Sequence, residues 1–324
     1  MFRWRKLGQV FDPTRMSTFP WMHHFAQTPS TLIFDDFVRV YFCTRGQADE
    51  AGQFISRIGY VDLEREDLFR IRHISPEPVL ALGDLGAFDE FGTNPVSVIR
   101  HDDEVWAYYA GWTRCESVPF NSTIGVARSL DGGKCFQRIG PGPVLSYTPD
   151  EPFVIGSPKI RKFDGKWYLH YIAGQKWLDT GGRPEPVYII RGADSNDGIE
   201  WKKFGTDLLP KRLGDFECQA SPDILWFEGR YRMFFSYRHA VGFKSKEKGY
   251  RIGYAVSDDL VHWSRDDDAA GIDVSDEGWD SQMVSYAHVF ELDERVYMLY
   301  QGNDIGRVGF GLAVLESYES SSSE

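Results

Sequence analysis

The sequence predicts an all-β protein, a single five-bladed β-propeller whose N-terminal strand closes the last blade. Three observations predict this fold: a five-fold repeat, strand-like segments at fixed places in each repeat, and an N-terminal segment that matches the strand missing from the last repeat. A constant period indicates repeated supersecondary units. The units are marked, about 64 residues apart, by Thr28-Pro29, Asn94-Pro95, Ser157-Pro158, Ser221-Pro222 and Ser285-Tyr286.

Each marker is followed by an apolar strand, a polar turn and a second strand rich in aromatic residues. Examples of the second strand are Trp106 to Tyr109 and Tyr231 to Phe235, and the turns contain the Gly and Asp residues of tight hairpins. A third strand follows, such as Ile124 to Ala127. A turn with Ser and Asp then leads to an aromatic residue that begins a fourth strand, as from Ser195 to Trp201. Four antiparallel strands in each of five units predict the propeller.

The fifth unit lacks a fourth strand, and the N-terminal segment supplies one. Residues 2–8 resemble the fourth strand that begins at Trp201, so we expect them to pair with the end of the chain and leave no open sheet edge. This arrangement predicts one domain over residues 1–316, followed by a disordered serine-rich tail over 317–324.

Composition narrows the classes of function. The 324 residues carry a formal net charge of −12, which disfavours binding to nucleic acid or to an anionic membrane. No apolar run is long enough to span a membrane or to act as a secretory signal, so a cytoplasmic location is expected. The four cysteines lack metal-binding spacing and are read as buried free thiols, and no glycine-rich phosphate loop is found; no metal or cofactor is therefore predicted.

Acidic residues recur in the loop that precedes the first strand of a unit, which we call the leading loop. These loops lie on the same face of a propeller as the loops that join second to third strands. Carboxylates gathered there suit glycoside cleavage, which needs one protonated and one ionised group. Glu217 is the candidate general acid, and Asp280 or Asp89 the candidate base or acid-tuning group. Alternatively, these acids cap turns or pair with local cations.

Cations and aromatic residues recur where the second strands end. Such cations either pair with the leading-loop acids or hold a substrate carboxylate or phosphate, which makes an anionic sugar a plausible ligand. The aromatic residues either stack on a sugar or pack the blades, and His24 either takes over a first-blade role or lines the wall. The predicted substrate-binding residues are His24, Gln27, Arg45, Asn94, Trp112, Arg114, Lys176, Trp177, Tyr237, Arg238 and His239.

The five units, the Ser-x-Asp-Gly turns and the segment Phe216-Glu217-Cys218 resemble the five-bladed glycoside hydrolases, the superfamily that includes families 43, 32 and 130. The resemblance implies a carbohydrate substrate, and Glu217-Cys218 is similar to the acid/base pair of the invertase-like members. Two departures stand out. Residues 21–27 lack the first-blade aspartate of families 43 and 32, and Asn94 replaces the aspartate of the invertase Arg-Asp-Pro motif.

These observations predict a glycoside hydrolase-like enzyme that acts on a glycosidic bond, possibly of an anionic sugar, through carboxylate acid/base catalysis. Two alternatives stay open: a glycoside phosphorylase of the same fold, in which the cations hold phosphate, and a carbohydrate-binding propeller without chemistry.

Overall fold

Five four-stranded antiparallel sheets surround a central axis in the computed structural model, which describes residues 1–50 and 52–319. Within blades 1 to 4 the strands follow chain order from axis to rim, and in blade 5 the first strand of the chain, β1, is the outermost. The inner strands of neighbouring blades contact one another around the ring. The blades are β2 (His24–Ile33), β3 (Phe37–Arg45), β4 (Ser56–Glu64) and β5 (Ile71–Ile74); β6 (Thr93–His101), β7 (Glu104–Thr113), β8 (Asn121–Ser129) and β9 (Gln137–Arg138); β10 (Phe153–Phe163), β11 (Lys166–Leu178), β12 (Glu185–Ser195) and β13 (Lys202–Lys203); β14 (Glu217–Phe227), β15 (Arg230–His239), β16 (Arg251–Ser257) and β17 (Ser264–Arg265); and β18 (Ser285–Leu292), β19 (Arg295–Gln301), β20 (Phe310–Tyr318) and β1 (Phe2–Phe11).

Helical structure is confined to short turns between strands. The described residues contain α1 (Pro13–Met16), a 3-10 turn (Asp267–Ala270) and α2 (Asn303–Gly306). None of these helices is long and apolar enough to cross a membrane. The fold is therefore the all-β propeller that the repeat predicts.

The N-terminal strand closes blade 5, which confirms the sequence prediction. β1 pairs antiparallel with β20, and Phe2 lies opposite Tyr318. Phe2 and Trp4 are buried against Phe234 in the core between blades 4 and 5. Strand β20 runs to Tyr318, two residues into the segment predicted to be a tail, because it pairs with β1 over that length; residues 320–324 of that tail lie outside the described residues.

In blades 1, 3 and 4 the periodic markers lie four residues inside the inner strands, whereas in blades 2 and 5 they lie at the beginnings of these strands, as the sequence pattern suggests. Each inner strand shifts register at its marker, so an extra residue bulges out of the ladder. Thr28, Ser157 and Ser221 adopt left-handed backbone at φ between 49° and 54°, each directly before the proline of its marker. Small polar residues followed by proline are therefore periodic because each inner strand needs a bulge there.

The turns between third and fourth strands are held by the Ser and Asp residues that the sequence pattern predicts. In blade 2, Ser129 Oγ accepts the backbone N–H of Gly133, and Asp131 accepts the N–H of Lys134. Gly133 also accepts, at its carbonyl, the hydroxyl of Tyr41 from blade 1 at 2.7 Å. A Cβ on Gly133 would lie 2.0 Å from that hydroxyl, so the glycine allows blades 1 and 2 to approach.

Candidate functional site in the axial cavity

A cavity of about 520 Å³ opens on the axis and is lined by all five inner strands. We call it the axial cavity. Gln27, Asn94, Ser157, Ala220 and Tyr286 contribute to its wall, one from each blade. The bulged markers place these residues at one level around the axis. Ligands of propellers and other concave folds bind in pockets of this size.

Backbone strain is concentrated in this cavity. Half of the non-glycine residues with left-handed backbone that the structure describes line it, although such residues are uncommon outside tight turns. They persist only where surrounding structure holds them, and they cluster at functional sites. These residues are Phe25, Thr28, Val154, Ser157, Tyr286, Asp304 and Ile305.

Arg45, at the end of β3, contributes a mostly buried guanidinium to the lining of the axial cavity. Its Nε donates to Ser56 Oγ at 3.0 Å, and its Nη2 donates to Gln27 Oε1 at 3.2 Å. The guanidinium also lies over the ring of Phe25, 4.5 Å from the ring centre. Burial lowers the pKa of Arg45 to about 10. No carboxylate forms an ion pair with Arg45 in the described part of the chain, so its charge is held by neutral groups.

Arg238, at the end of β15, is the second buried guanidinium of the cavity, with a side chain that packs over Phe243. Its Nη1 donates to the carbonyl of His239 at 2.8 Å, and its Nη2 donates to the hydroxyl of Tyr188 at 3.0 Å. The Nε is buried and finds no hydrogen-bond partner among residues 1–50 and 52–319. Over the same residues Arg238 has no carboxylate partner.

Three tyrosine hydroxyls form a chain beside Arg238. Tyr188 and Tyr250 share a hydrogen bond of 2.7 Å, and Tyr286 donates to Tyr250 at 3.2 Å. Burial raises the pKa of Tyr188 and that of Tyr286 well above the usual range, so both phenols stay protonated. They can therefore donate hydrogen bonds to a bound anion or to sugar hydroxyls.

Positive charge dominates the cavity although the whole chain is acidic. Two carboxylates, Glu185 and Asp304, are found among its described lining residues. They face five cations, namely Arg45, Arg183, Arg238, Lys244 and Arg307. The cavity therefore suits an anionic ligand.

The three predicted catalytic acids do not line the axial cavity. Asp89, Glu217 and Asp280 are buried, and each is bound within its own blade to a cation of the outermost strand. Asp89 accepts from Arg138 Nε at 2.8 Å, Glu217 accepts from Arg265 Nη1 at 2.6 Å, and Asp280 accepts from Lys6 Nζ at 2.7 Å. We call this pair, which ties a leading loop to a fourth strand, a brace. The geometry does not support a shared catalytic cluster of these acids.

Blade 3 has the same brace and blade 1 replaces it. In blade 3, Glu151 pairs with Lys203 and also accepts the hydroxyl of Tyr171 at 3.0 Å. In blade 1 the buried Met22 occupies the place that the acid has in the other blades. Met22 and the hydroxyl of Ser75 both lie beside Gly59 of the third strand, where a Cβ would contact them. The acid and the cation are thus lost together. This explains why the first leading loop carries no carboxylate.

The structure divides the predicted substrate-binding residues into two groups. Gln27, Arg45, Asn94, Trp112 and Arg238 line the axial cavity. Outside that lining, Arg114 pairs with Asp49 at 2.8 Å, Lys176 lies over Phe216, and Trp177 packs edge-on against Phe120. The other three predicted residues, also outside the lining, are His24, which packs against His23, Tyr237, which lies beneath Arg265, and His239, which is paired with Glu217 across the sheet.

A further cluster of buried charged residues lies near the axis, and its acid, Asp223, is fully buried. Asp223 of β14 lies 2.6 Å from His288 Nδ1 and 3.8 Å from Lys159 Nζ, and it also binds Arg161. Burial alone would raise the pKa of Asp223, but Arg161 and Lys159, together with the contact to His288, lower it and keep the carboxylate ionised. The cluster ties the inner strands of blades 3, 4 and 5 together.

Sequence reasoning missed the tyrosine chain and both cavity carboxylates. Glu185 and Tyr188 lie at the start of β12, which the repeat pattern identifies only as a third strand. Asp304 lies in α2, where the pattern predicts no structure. The sequence does contain a pattern that predicts the braces. Four blades carry an acid in the leading loop, and in the same four blades a cation follows the aromatic residue of the fourth strand by two residues.

The chain folds as a five-bladed propeller, and solved structures of glycoside hydrolases share this fold. A solved glycoside hydrolase superposes with a TM-score of 0.76 at 17% identity, over 100% of this chain and 95% of that one. A structure from a study of β-1,2-mannoside hydrolases in the GH130 family of mannoside phosphorylases superposes with a TM-score of 0.69 at 15% identity, over 97% of this chain and 94% of that one. Similarity at this level of identity establishes the fold.

Sequence comparison shows the family to which the chain belongs. The chain belongs to the same family as the uncharacterized protein Rv1502 of Mycobacterium tuberculosis, with 35% identity over 97% of this chain and 99% of that protein. Two more distant matches are partial. A probable sucrose-6-phosphate hydrolase of Vibrio cholerae is 28% identical over 46% of this chain and 25% of that protein. A β-1,2-mannobiose phosphorylase of Thermoanaerobacter sp. (strain X514) is 26% identical over 35% of this chain and 40% of that protein. No family model matches the chain.

Proposed function

We propose that this protein acts on the glycosidic bond of a sugar that carries a phosphate or carboxylate group, and that the axial cavity binds this group through Arg45 and Arg238. One observation carries the proposal: the mostly buried guanidinium of Arg45 and the buried guanidinium of Arg238 face one cavity, and neither has a carboxylate partner in the described part of the chain.

The energetic argument is that a buried charge without a counter-ion is unfavourable. Removing an ion from water costs several kcal/mol in a real protein, and an opposite charge with good hydrogen-bond geometry offsets that cost. Phosphate and carboxylate match the planar guanidinium fork. The unpartnered Nε of Arg238 is a donor that such a group can satisfy.

The rest of the cavity suits the sugar itself. The hydroxyls of Tyr188, Tyr250 and Tyr286 offer hydrogen bonds, and Trp112 stacks on Phe120 with 4.1 Å between ring centres, which gives an aromatic wall. The partial match to a protein named for hydrolysis of a sugar phosphate also supports an anionic sugar.

A phosphorylase is the second candidate, because the same two arginines fit inorganic phosphate as the attacking group. The partial match to a mannobiose phosphorylase favours it. The two candidates differ in one requirement, since only phosphorolysis depends on added phosphate.

Calorimetric titration tests the proposed anion site. We expect glucose 6-phosphate, glucuronate or N-acetylneuraminate to bind and glucose to bind more weakly. Hydrogen bonds to charged groups contribute about 1.5–3 kcal/mol, so Arg45→Gln or Arg238→Gln should weaken binding by about 10- to 150-fold.

Arg230→Gln is the matched control, because Arg230 forms an exposed ion pair with Asp258 away from the cavity. Equal affinity for charged and neutral sugars, or unchanged affinity in both cavity variants, would contradict the proposal. Saturable binding without cleavage of any glycoside, with or without phosphate, would instead identify a carbohydrate-binding propeller.

We also propose a reducing compartment, in line with the expected cytoplasmic location. All four cysteines are free thiols; Cys43 and Cys218 are buried as expected, whereas Cys115 and Cys135 are exposed. Exposed free thiols persist in reducing surroundings.

A further inference from the structure

A second cavity of about 520 Å³ adjoins the axial cavity toward the rim of blades 1 and 2. We call it the rim cleft. Its wall includes the loop between β7 and β8 and the ring of Phe91. The residues shared by both cavities are Arg45, Phe54, Trp112, Phe120 and Arg183. The two spaces are therefore continuous, and together they are larger than a single sugar ring requires.

Most of the acids considered above are already occupied. Asp89, Glu151, Glu217 and Asp280 are held in braces, and Asp223 is held in the axial charge cluster. Glu185 and Asp304 line the axial cavity, and neither forms an ion pair or a side-chain hydrogen bond with any residue that the structure describes. These two carboxylates are available for chemistry.

We propose that Glu185 and Asp304 are the catalytic carboxylates, with Glu185 donating a proton to the oxygen of a glycosidic bond that spans the boundary between the axial cavity and the rim cleft. Asp304 acts as the base that activates water. This inference rests on the proposed function, because it assigns the chemistry of the same cavity.

The position of Glu185 fits a proton donor at that boundary. The residue begins β12 and lines the axial cavity, while Arg183 and Pro184, immediately before it, line the rim cleft. Glu185 is half-buried, and burial raises the pKa of its carboxyl against the opposing influence of Arg238 and Arg183. A raised pKa keeps a carboxylic acid protonated nearer to neutral pH, as a general acid requires.

The position of Asp304 fits a base that activates water. Its side chain is exposed to the open mouth of the cavity, and its backbone is left-handed at φ 53°. The adjacent Ile305 is fixed by Gln27, whose amide donates to the Ile305 carbonyl at 2.6 Å. Because Gln27 also accepts from Arg45, the segment that carries Asp304 is tied to the anion site.

The rim cleft would hold the leaving unit. Stacked Trp112 and Phe120 form an aromatic wall at the shared boundary, and a pyranose or an aryl group packs on such a wall. The anionic unit would then lie on the axis beside Arg45 and Arg238, with the scissile oxygen between the two spaces.

The chemical step balances without any further reactant than water. The bond between the anomeric carbon and the glycosidic oxygen breaks, and the oxygen takes the bond electrons and the proton of Glu185. Water attacks the anomeric carbon while Asp304 takes its proton. The products are the free leaving alcohol and the anionic sugar, and proton exchange with solvent restores Glu185 and Asp304.

The test uses 4-nitrophenyl and 2,4-dinitrophenyl glycosides of glucuronic acid, N-acetylneuraminic acid and glucose 6-phosphate. General acid catalysis contributes roughly 10²- to 10⁴-fold. We therefore expect Glu185→Gln to lower kcat/KM by that range on the 4-nitrophenyl substrates. The dinitrophenyl substrates should be affected far less, because their leaving group needs no proton. Added azide, a nucleophile that needs no base, should restore turnover by Asp304→Asn.

Matched controls separate catalysis from folding. Glu200→Gln removes an exposed glutamate outside both cavities, and Asp164→Asn changes an exposed aspartate that is also left-handed, at φ 50°. Both should keep wild-type turnover, and Glu185→Gln and Asp304→Asn should keep the calorimetric affinity of the wild type for the anionic sugar within about threefold.

Each result decides between distinct statements. Full turnover by Glu185→Gln, or an equal loss on both leaving groups, overturns its role as acid, and full turnover by Asp304→Asn overturns its role as base. If the arginine variants still lose binding, the proposed anion site stands. Binding without turnover by the wild type overturns both the catalytic assignment and the proposed glycosidase activity but leaves the anion site standing, whereas loss of neither binding nor turnover in the arginine variants overturns the anion site.

Discussion

The braces and the axial arginines are both buried charges, but they differ in their partners. In four blades a leading-loop acid meets a cation of the fourth strand, as Glu217 meets Arg265 at 2.6 Å. At the axis, Arg45 and Arg238 meet only hydroxyls, amides, carbonyls and aromatic rings among the described residues. A paired buried charge is satisfied within the protein itself, whereas an unpaired charge in a cavity can still bind a ligand of opposite charge. Whether a buried charge has an ion-pair partner therefore distinguishes structural from functional residues. Recurrence of the charge at one place in each repeat does not.

The largest effect should come from breaking a brace. Arg265→Met leaves the buried carboxyl group of Glu217 without its cation. Breaking a buried ion pair costs about 3–5 kcal/mol, so the free energy of unfolding measured in urea should fall by that amount. Arg230→Met, which removes an exposed ion pair, should lower it by less than about 1 kcal/mol. Equal losses of unfolding free energy for the two substitutions would show that a brace contributes no more to stability than an exposed ion pair.

A smaller effect should come from acid, through a buried ionisable group that is neither paired nor in the cavity. His170 is buried in β11, and burial lowers its pKa to about 4 from the ordinary value of 6.5. The unfolded chain takes up a proton on this residue below pH 6.5 and the folded chain does not until about pH 4. Stability is therefore complete above pH 6.5 and declines between 6.5 and 4, by about 1.4 kcal/mol per pH unit.

His170→Gln isolates this contribution. The difference in unfolding free energy between wild type and variant should shrink as the pH falls from 6.5 to 4, by about 3 kcal/mol. A difference that is constant over this range would show that His170 titrates alike in both states.

The smallest effect on stability should come from the axial cavity. Arg45→Met removes a buried charge that has no counter-ion, so we expect the free energy of unfolding to change by less than about 1 kcal/mol, or to rise. Glucose 6-phosphate at 100 times its dissociation constant should stabilise the wild type by about 2.7 kcal/mol and this variant far less. A loss as large as that of Arg265→Met would place Arg45 with the braces.

The fold could be predicted because its determinants are local and repeated. A small polar residue at the marker, a tight polar turn and an aromatic second strand recur in each unit, and the N-terminal strand resembles the fourth strands of other units. The backbone conformation at the markers could not be predicted from the sequence. Thr28 and Ser157 lie in strand bulges, a conformation that sequence alone assigns equally well to the start of a strand.

The site could be predicted in part. Arg45 and Arg238 were identified because cations recur at one place in an acidic chain, but Arg114 occupies the same place and binds Asp49. Glu217 seemed catalytic because its partner, Arg265, lies 48 residues further along the chain. Pairing between residues far apart in the chain decides whether a buried charge is satisfied, and the sequence of the leading loop alone does not report it.

The closure of the ring links ligand binding to the folding of the whole chain. Phe2 pairs with Tyr318, so the last sheet forms only after a loop of nearly the full chain has closed, at an entropic cost that grows with loop length. The axial cavity draws one wall from every blade and exists only in the closed ring. A ligand of that cavity therefore stabilises ring closure. By mass action, it shifts the equilibrium toward the closed ring and away from any form in which the first strand is detached.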